Sequence, residues 1–234
     1  MKILCIDTST RHNWIGLYND GKISDSVGYE DRQSCLINLI PSIKTVLDNA
    51  QIALSGVDAI ATVIGPGAWS SLRIGAATVK QLCLVKRLPL FSISNNDLLA
   101  EWSLQSGFTQ QHILTAMDAQ SGKVYAALYS FNDGQKTRIS DYLWAAPDQI
   151  IEIFPSGIDD LLIVGDGAYR FENAVHPNWQ LNYDMPQQDS RYLELLGKLA
   201  ENAQPVYNRD EILLFKPLYI QPSSAEVEFK VSVT

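Results

Sequence analysis

The stretch ILCIDTSTRHNWIGLYNDG, from Ile3 to Gly21, has a counterpart 110 residues later in ILTAMDAQSGKVYAALYSFNDG, which begins at Ile113. Each reads as an apolar strand that ends at an aspartate, Asp7 or Asp118, followed by a short polar turn and a second apolar strand. Each closes on Asn-Asp-Gly, which favours a tight hairpin turn. The repeated hairpin predicts two domains of the same design, and the alternative is a chance likeness between two common hairpin patterns.

The segments behind the first hairpin alternate between helix and strand, which is typical of an α/β fold. The second half is thinner, with a strand at Leu161–Gly167, a helix near Arg191–Asn202 and a final extended piece. We therefore predict an N-terminal domain at residues 1–106 and a reduced C-terminal domain at residues 107–234. The elements predicted behind the first hairpin are a helix at Arg32–Asn49, a strand at Val57–Gly65, a helix at Ser70–Lys86, a strand at Leu88–Ser94 and a helix at Asn96–Ser106.

A glycine-rich loop, GPGAWSSLRIGAATVKQLCL from Gly65, leads into the helix at 70–86. In the predicted turn, Pro66 sets its own φ and Gly67 tolerates a positive φ. Ser70 or Ser71 can cap the helix, and the amides at such a helix start favour anions. The loop lacks the Gly-Lys-Ser/Thr of a Walker motif and is not G-x-G-x-x-G. It either holds a phosphate-bearing ligand or only turns the chain and presents the helix.

The two helices at 32–49 and 70–86 are rich in apolar residues. The first has one apolar stripe, whereas the second is apolar nearly all round. The sheet of its own domain can cover one side of the second helix, and either the neighbouring helix or a second protein must cover the other. The stripe on the first helix comprises Leu36, Leu39, Ile40, Ile43, Val46 and Leu47.

The composition excludes several classes of function. The 234-residue chain has a formal net charge of −8, which disfavours strong direct binding to nucleic acid. Its apolar stretches are too short for a membrane span, and its start has no signal-peptide pattern, so we expect a cytoplasmic protein. Its three cysteines stand singly, as buried thiols do in a reducing compartment.

Catalytic patterns are scarce. The three histidines stand far apart, and none has a second ligand at metal-binding spacing. Asp7, Thr8 and Ser9 end a strand and could orient Mg²⁺ or a phosphate, or they could form a turn stabilised by their own side chains. The same two alternatives apply to Gly165 and Gly167, which flank Asp166 after a strand.

Three segments, ILCIDTS, GPGAWSSLRIGAA and PLYIQPSSAE, resemble in this order the TsaB (YeaZ) family. That family is the non-catalytic bacterial paralogue of the TsaD/Kae-type threonylcarbamoyltransferases. The resemblance implies an actin-like ATPase fold of two repeated ββαβαβα domains. It also implies a role beside a TsaD-like transferase and a TsaE-like ATPase in making N6-threonylcarbamoyladenosine at position 37 of tRNA. The catalytic relatives carry His-x-x-x-His where this chain reads SISNNDLLAEW, so we expect no metal and no cofactor here.

The resemblance therefore favours a non-catalytic scaffold, which forms a homodimer when its partner is absent. The alternative is a small actin-like ATP-dependent kinase or hydrolase, in which Asp7, Thr8, Ser9, Gly165 and Gly167 would form the site that the scaffold keeps only as a vestige. The sequence departs from the family pattern at Ala68, Trp69 and Ser71, at Cys35 where histidine is common, and at Gln221 where arginine is common. The predicted partner interface comprises Leu36, Leu39, Ile40, Ile43, Leu47, Arg73, Ala76, Val79 and Cys83.

Overall fold

The computed structural model describes residues 1–30, 35–132, 135–154, 158–174, 176–186 and 190–221. The strands are β1 Lys2–Asp7, β2 His12–Asn19, β3 Lys22–Glu30, β4 Ala59–Val63, β5 Leu90–Ile93, β6 His112–Asp118, β7 Val124–Asn132, β8 Gln135–Arg138, β9 Leu143–Ala145, β10 Leu161–Val164 and β11 Gln180–Asn182. The helices are α1 Cys35–Asn49, α2 Trp69–Lys86, α3 Asn95–Gln105, α4 Pro147–Glu152, α5 Tyr192–Asn202 and α6 Arg209–Leu214.

The chain folds into two compact units. The first joins Met1–Phe108 to Asp184–Pro217, and the second holds Thr109–Tyr183 and resumes at Leu218. The chain thus first leaves unit 1 within two residues of the boundary predicted at 106/107. The predicted second domain, 107–234, differs from the structure because α5 and α6 return to the first unit.

Burial of apolar surface explains the return of α5. The helix places Leu193 and Leu196 in a core with Ile3 of β1, and all three side chains are buried. Gly197 allows α5 to approach β2 closely, since a Cβ there would lie 2.3 Å from the ring of Tyr18. Each fully buried leucine contributes about 1.5–3 kcal/mol, so this amphipathic helix belongs with the sheet that covers it.

The sheet of the first unit has the order β3-β2-β1-β4-β5. β1, β2 and β3 are antiparallel neighbours, whereas β1, β4 and β5 are parallel. The helices α1, α2 and α6 contribute to the core on one face, and α5 lies with α3 in the core on the other. The sequence interpretation missed β3, because its residues, KISDSVGYE, are mostly polar and only partly buried, as in an edge strand.

The second unit repeats the first in reduced form. The antiparallel hairpin β6–β7 corresponds to β1–β2, and β10 lies parallel to β6 as β4 lies parallel to β1. Its sheet has the order β11-β10-β6-β7-β8, and β9 pairs with β7. The prediction of a repeated α/β design is therefore confirmed. The second Asn-Asp-Gly turn falls partly outside the described residues.

The helix predicted at 70–86 is confirmed as α2, but its predicted cap is wrong. Ala68 occupies the N-cap position without a side-chain hydrogen bond, and both serines, Ser70 and Ser71, lie inside the helix. The start predicted for α1 at Arg32 lies outside the described residues. No helix in the described ranges is long and apolar enough to span a bilayer.

Candidate functional site

The carboxylate of Asp7, at the end of β1, is bound by groups of the protein itself. Its Oδ1 accepts hydrogen bonds from the Ser9 amide at 2.7 Å and the Ser9 hydroxyl at 2.5 Å. Its Oδ2 accepts one from the Tyr192 hydroxyl of α5 at 2.9 Å. All three residues are fully buried. Burial, together with the Asp7 carboxylate, holds the pKa of Tyr192 well above its ordinary value, so this hydroxyl stays a donor.

The glycine-rich loop packs directly against the turn after β1. The Ala68 amide donates a hydrogen bond to the Ser9 carbonyl at 2.7 Å. A Cβ on Gly67 would lie 2.0 Å from that carbonyl oxygen. A Cβ on Gly75, in the second turn of α2, would lie 2.1 Å from Oγ1 of the buried Thr8. Glycine is therefore required at both positions by close approach. The positive φ predicted at Gly67 is instead found at Gly65.

The start of α3 completes this junction. Ser94 caps the helix by accepting a hydrogen bond from the Asp97 amide. The side-chain amide of Asn95 donates to the Ser9 hydroxyl at 2.8 Å and to the Pro66 carbonyl at 2.7 Å. This segment, SISNNDLLAEW, is the one in which the family resemblance implies histidines in the catalytic relatives. Across the described part of the chain, no group of three or more His, Cys, Asp and Glu residues could hold a metal ion.

In the second unit, the carboxylate of the corresponding aspartate, Asp118, is also bound by groups of the protein itself. Asp118 Oδ1 accepts hydrogen bonds from Arg170, with Nε at 2.8 Å and Nη2 at 2.7 Å. The Asp118 amide in turn donates to Asp166. Gly165 has a φ of 121°, and a Cβ on Gly167 would lie 2.8 Å from the Met117 carbonyl carbon. The local backbone structure therefore explains why glycine occupies both positions.

Sequence reasoning missed Tyr192 and Arg170, two side chains distant in sequence that bind these aspartates. Tyr192 is 185 residues from Asp7, and Arg170 is 52 residues from Asp118. No local pattern marks either one, since only the tertiary fold places them there. Asp7, Thr8 and Ser9 lie against the glycine-rich loop, a contact that sequence reasoning did not predict. Gly165 and Gly167, which the sequence analysis grouped with them, belong to the other unit.

The predicted partner interface divides into core and surface residues. Leu36, Ile40 and Arg73 are exposed, and Ala76 is partly exposed. The other five side chains cannot contact a partner in the folded unit, because they are between 0 and 7% exposed. These core residues are Leu39, Ile43, Leu47, Val79 and Cys83.

The helix α2 is also less apolar on its outer side than predicted. Only one stripe is buried, including Leu72, Val79 and Cys83. Ile74 and Leu82 are partly buried at the edges of the same core, so the remaining surface carries mainly small and polar side chains. The correction follows from packing: neighbouring elements cover the flanks of the helix, and no second protein is needed to cover them.

An exposed apolar surface lies on the first two turns of α1. Leu36 is 73% exposed, Ile37 is 72% exposed and Ile40 is 56% exposed. We call these three residues the α1 apolar surface. Sequence reasoning missed Ile37, which lies outside the stripe that faces the core. Beside α1, the guanidinium of Arg73 on α2 stacks over the Trp69 ring with its Cζ 4.9 Å from the ring centroid.

Two departures from the family pattern lie close together in this structure. Burial raises the pKa of the Cys35 thiol, and hydrogen bonding to Tyr29 and Ser71 opposes that rise. The Cys35 thiol therefore lies beside Ser71, the second of these departures. Gln221, a third departure, accepts a hydrogen bond from the Tyr125 hydroxyl at 2.9 Å in the second unit.

The sheet order, the helices on both of its faces and the reduced repeat define the class of protein: an actin-like ATPase fold, which agrees with the expectation from sequence. The family model described as "TsaD: tRNA N6-adenosine threonylcarbamoyltransferase" matches residues 33–186. The chain belongs to the TsaB family within this group.

Known relatives agree with this assignment. The chain is 31% identical over 210 residues to the tRNA threonylcarbamoyladenosine biosynthesis protein TsaB of Escherichia coli, covering 88% of this chain and 85% of that protein. It is 31% identical over 180 residues to the TsaB of Buchnera aphidicola from Schizaphis graminum, covering 74% and 83%. The structure of YeaZ from Pseudomonas aeruginosa has a TM-score of 0.73 at 24% identity, covering 93% of this chain and 99% of that one, which shows a shared fold.

Proposed function

We propose that this chain is a non-catalytic subunit of the machinery that makes N6-threonylcarbamoyladenosine in tRNA, and that it acts by binding a TsaD-like transferase. Its TsaB relatives are named as biosynthesis proteins for this modified nucleoside. The observation that carries the proposal is the α1 apolar surface, which exposes three large side chains next to one another. A TsaE-like ATPase would join the complex, which we place in the cytoplasm.

The α1 apolar surface has the properties of a docking site. Burying a large aliphatic side chain stabilises a complex by about 1.5–3 kcal/mol, so three such side chains supply a hydrophobic centre for an interface. Next to them, α2 exposes Ala77 and partly exposes Ala76, and these small side chains allow another helix to come close. When no transferase is present, the same surface would pack against a second copy as an isologous dimer.

The absence of catalysis is supported by the bonds that Asp7 makes. In a nucleotide-binding relative, such a strand-end carboxylate would be available to a metal or phosphate. Here both of its oxygens accept hydrogen bonds from Ser9 and Tyr192, inside a fully buried junction. We therefore expect the purified chain with ATP and Mg²⁺ to show no turnover above background. Saturable turnover that is lost in Asp7→Asn would support the kinase or hydrolase alternative.

The test of docking is Ile40→Glu, compared with Ile153→Glu. Both isoleucines are 56% exposed, but Ile153 follows α4 in the second unit. Binding to the TsaD-family transferase of the same organism is measured by titration calorimetry, and unfolding by circular dichroism. Ile40→Glu should melt near wild type and bind more than a hundredfold more weakly, because the carboxylate would be desolvated in the complex.

Two outcomes would contradict this proposal. Binding of Ile40→Glu within threefold of wild type would place the interface elsewhere. The second outcome is a normal level of the modified nucleoside, measured by mass spectrometry in depleted cells that express Ile40→Glu. It would show that docking through the α1 apolar surface is not needed for the modification. Ile43→Glu and Val79→Glu should unfold the protein instead, because both side chains lie in the core.

A further inference from the structure

The exposed large apolar side chains of the first unit are concentrated on one side. Among its described residues, every one except Met1 lies on α1, α2, α6 or the segment that leads into α6. The helices on the opposite face of the sheet, α3 and α5, expose none in the described ranges. The set beyond the α1 apolar surface comprises Val85, Tyr207, Leu213 and Leu214.

The short helix α6 is firmly attached to the unit, although six residues alone would not form a stable helix. Its first turn is capped by Asn208, which accepts a hydrogen bond from the Asp210 amide at 2.9 Å. Its inner side chain, Ile212, is buried in the core with α1 and α2. Lys80 of α2 donates a hydrogen bond to the Leu213 carbonyl at 2.9 Å, so α6 lies directly beside α2.

This attachment holds large apolar groups in water at fixed positions. Leu214 is 79% exposed, Tyr207 is 71% exposed and Leu213 is 44% exposed. We call Tyr207, Leu213 and Leu214 the α6 apolar surface. An ordered apolar surface loses little conformational freedom when it is covered, which favours binding of a partner.

The size of a stable interface argues that both surfaces serve one partner. The three side chains of the α1 apolar surface expose on the order of 300–400 Å², whereas a stable complex buries about 800 Å² on each partner. Because α1 and α6 both pack on α2, they are at most two helix spacings apart, about 20 Å. A partner patch of standard area, about 30 Å across, reaches both.

We propose that the α6 apolar surface is the second half of the docking surface for the TsaD-like transferase, with α2 between the two halves. This inference rests on the proposed function and extends it, because the sequence reasoning placed the interface on α1 and α2 alone. The partner's complementary surface is therefore expected to be apolar at two separate places, joined by a region that accepts the small and polar side chains of α2.

The test measures transferase binding and self-association for Leu214→Glu, with Ile40→Glu and Ile153→Glu as references. We expect Leu214→Glu to keep the wild-type melt and to weaken binding at least tenfold, and Ile153→Glu to bind within twofold of wild type. Tyr207→Ser, which changes a residue outside the helix, should also weaken binding and replaces Leu214→Glu if that variant does not fold.

The outcomes distinguish this inference from the proposed function. If Ile40→Glu loses binding while Leu214→Glu and Tyr207→Ser bind within twofold of wild type, the α6 inference is overturned and the proposed function stands. If none of the three weakens binding, the proposed function itself fails. If Leu214→Glu abolishes only self-association, the α6 apolar surface binds a second copy of the chain, and the transferase is not its partner.

Discussion

Gly67→Ala tests whether the glycine-rich loop is a structural junction. An added Cβ would lie 2.0 Å from the Ser9 carbonyl oxygen and 2.9 Å from its carbon, closer than real Cβ contacts come. Both atoms belong to the backbone, so a side-chain rotation cannot relieve the clash. The loop and the turn after β1 must therefore separate by about 1 Å or more.

The expected cost follows from the hydrogen bonds across this junction. Separation weakens the bond from the Ala68 amide to Ser9 and the two bonds from the Asn95 side chain. Leaving a buried polar group unpaired costs about 1–3 kcal/mol, so we expect a loss of about 3–5 kcal/mol in the free energy of unfolding. For a chain of this size, that lowers Tm by roughly 10 °C.

The assay is urea unfolding followed by circular dichroism, with Gly56→Ala as the matched control. Neither glycine has a positive φ, so alanine introduces no backbone strain at either position. A Cβ on Gly56 would meet only Ile52 Cβ, at 3.8 Å, and the control should stay within about 0.5 kcal/mol of wild type. If Gly67→Ala is as stable as this control, the close contact between the loop and the turn after β1 does not stabilise the unit. Reduced nucleotide affinity in that variant would then support the ligand-binding alternative.

Three further predictions concern the same unit. Gly75→Ala should be destabilising because its Cβ would lie 2.1 Å from Thr8 Oγ1. Adding Thr8→Ala should restore about 1–2 kcal/mol of the lost free energy of unfolding, and additive effects in this double-mutant cycle would refute the contact. Asp7→Ala should lower the free energy of unfolding by about 2–4 kcal/mol, because it leaves two buried hydroxyl donors unpaired. Below its melting temperature it should still bind the transferase, and loss of binding by the folded variant would contradict this. Burial raises the pKa of Cys83 from its ordinary 9.0 to about 12, so the unfolded chain loses the thiol proton at lower pH than the folded chain. The free energy of unfolding should therefore fall by about 1.4 kcal/mol per pH unit between pH 9 and 12. Urea midpoints between pH 8 and 11 should fall less steeply for Cys83→Ala, and equal slopes would exclude the effect.

The repeated hairpin, the α/β class and the helix α2 could be predicted from sequence, because each depends on local patterns. Short apolar runs mark β1, β2, β6 and β7, and the Asn-Asp-Gly at 19–21 forms the turn from β2 into the next strand. The family assignment also follows from short segments of fixed order. The strand β3 was missed because its residues are mostly polar, and a polar edge strand has no strong local pattern.

Burial and long-range contacts decided the rest. The stripe on α1 correctly identified apolar residues, but periodicity cannot say that Leu39 faces the sheet while Leu36, three residues earlier, faces solvent. The partners of Asp7 show the same limit, because Tyr192 reaches it from a helix 185 residues away. The local sequence of the glycine-rich loop is compatible both with phosphate binding and with a close backbone contact. Only the tertiary structure places the Ser9 carbonyl where a Cβ of Gly67 would have to lie, because that position is set by the packing of three separate segments.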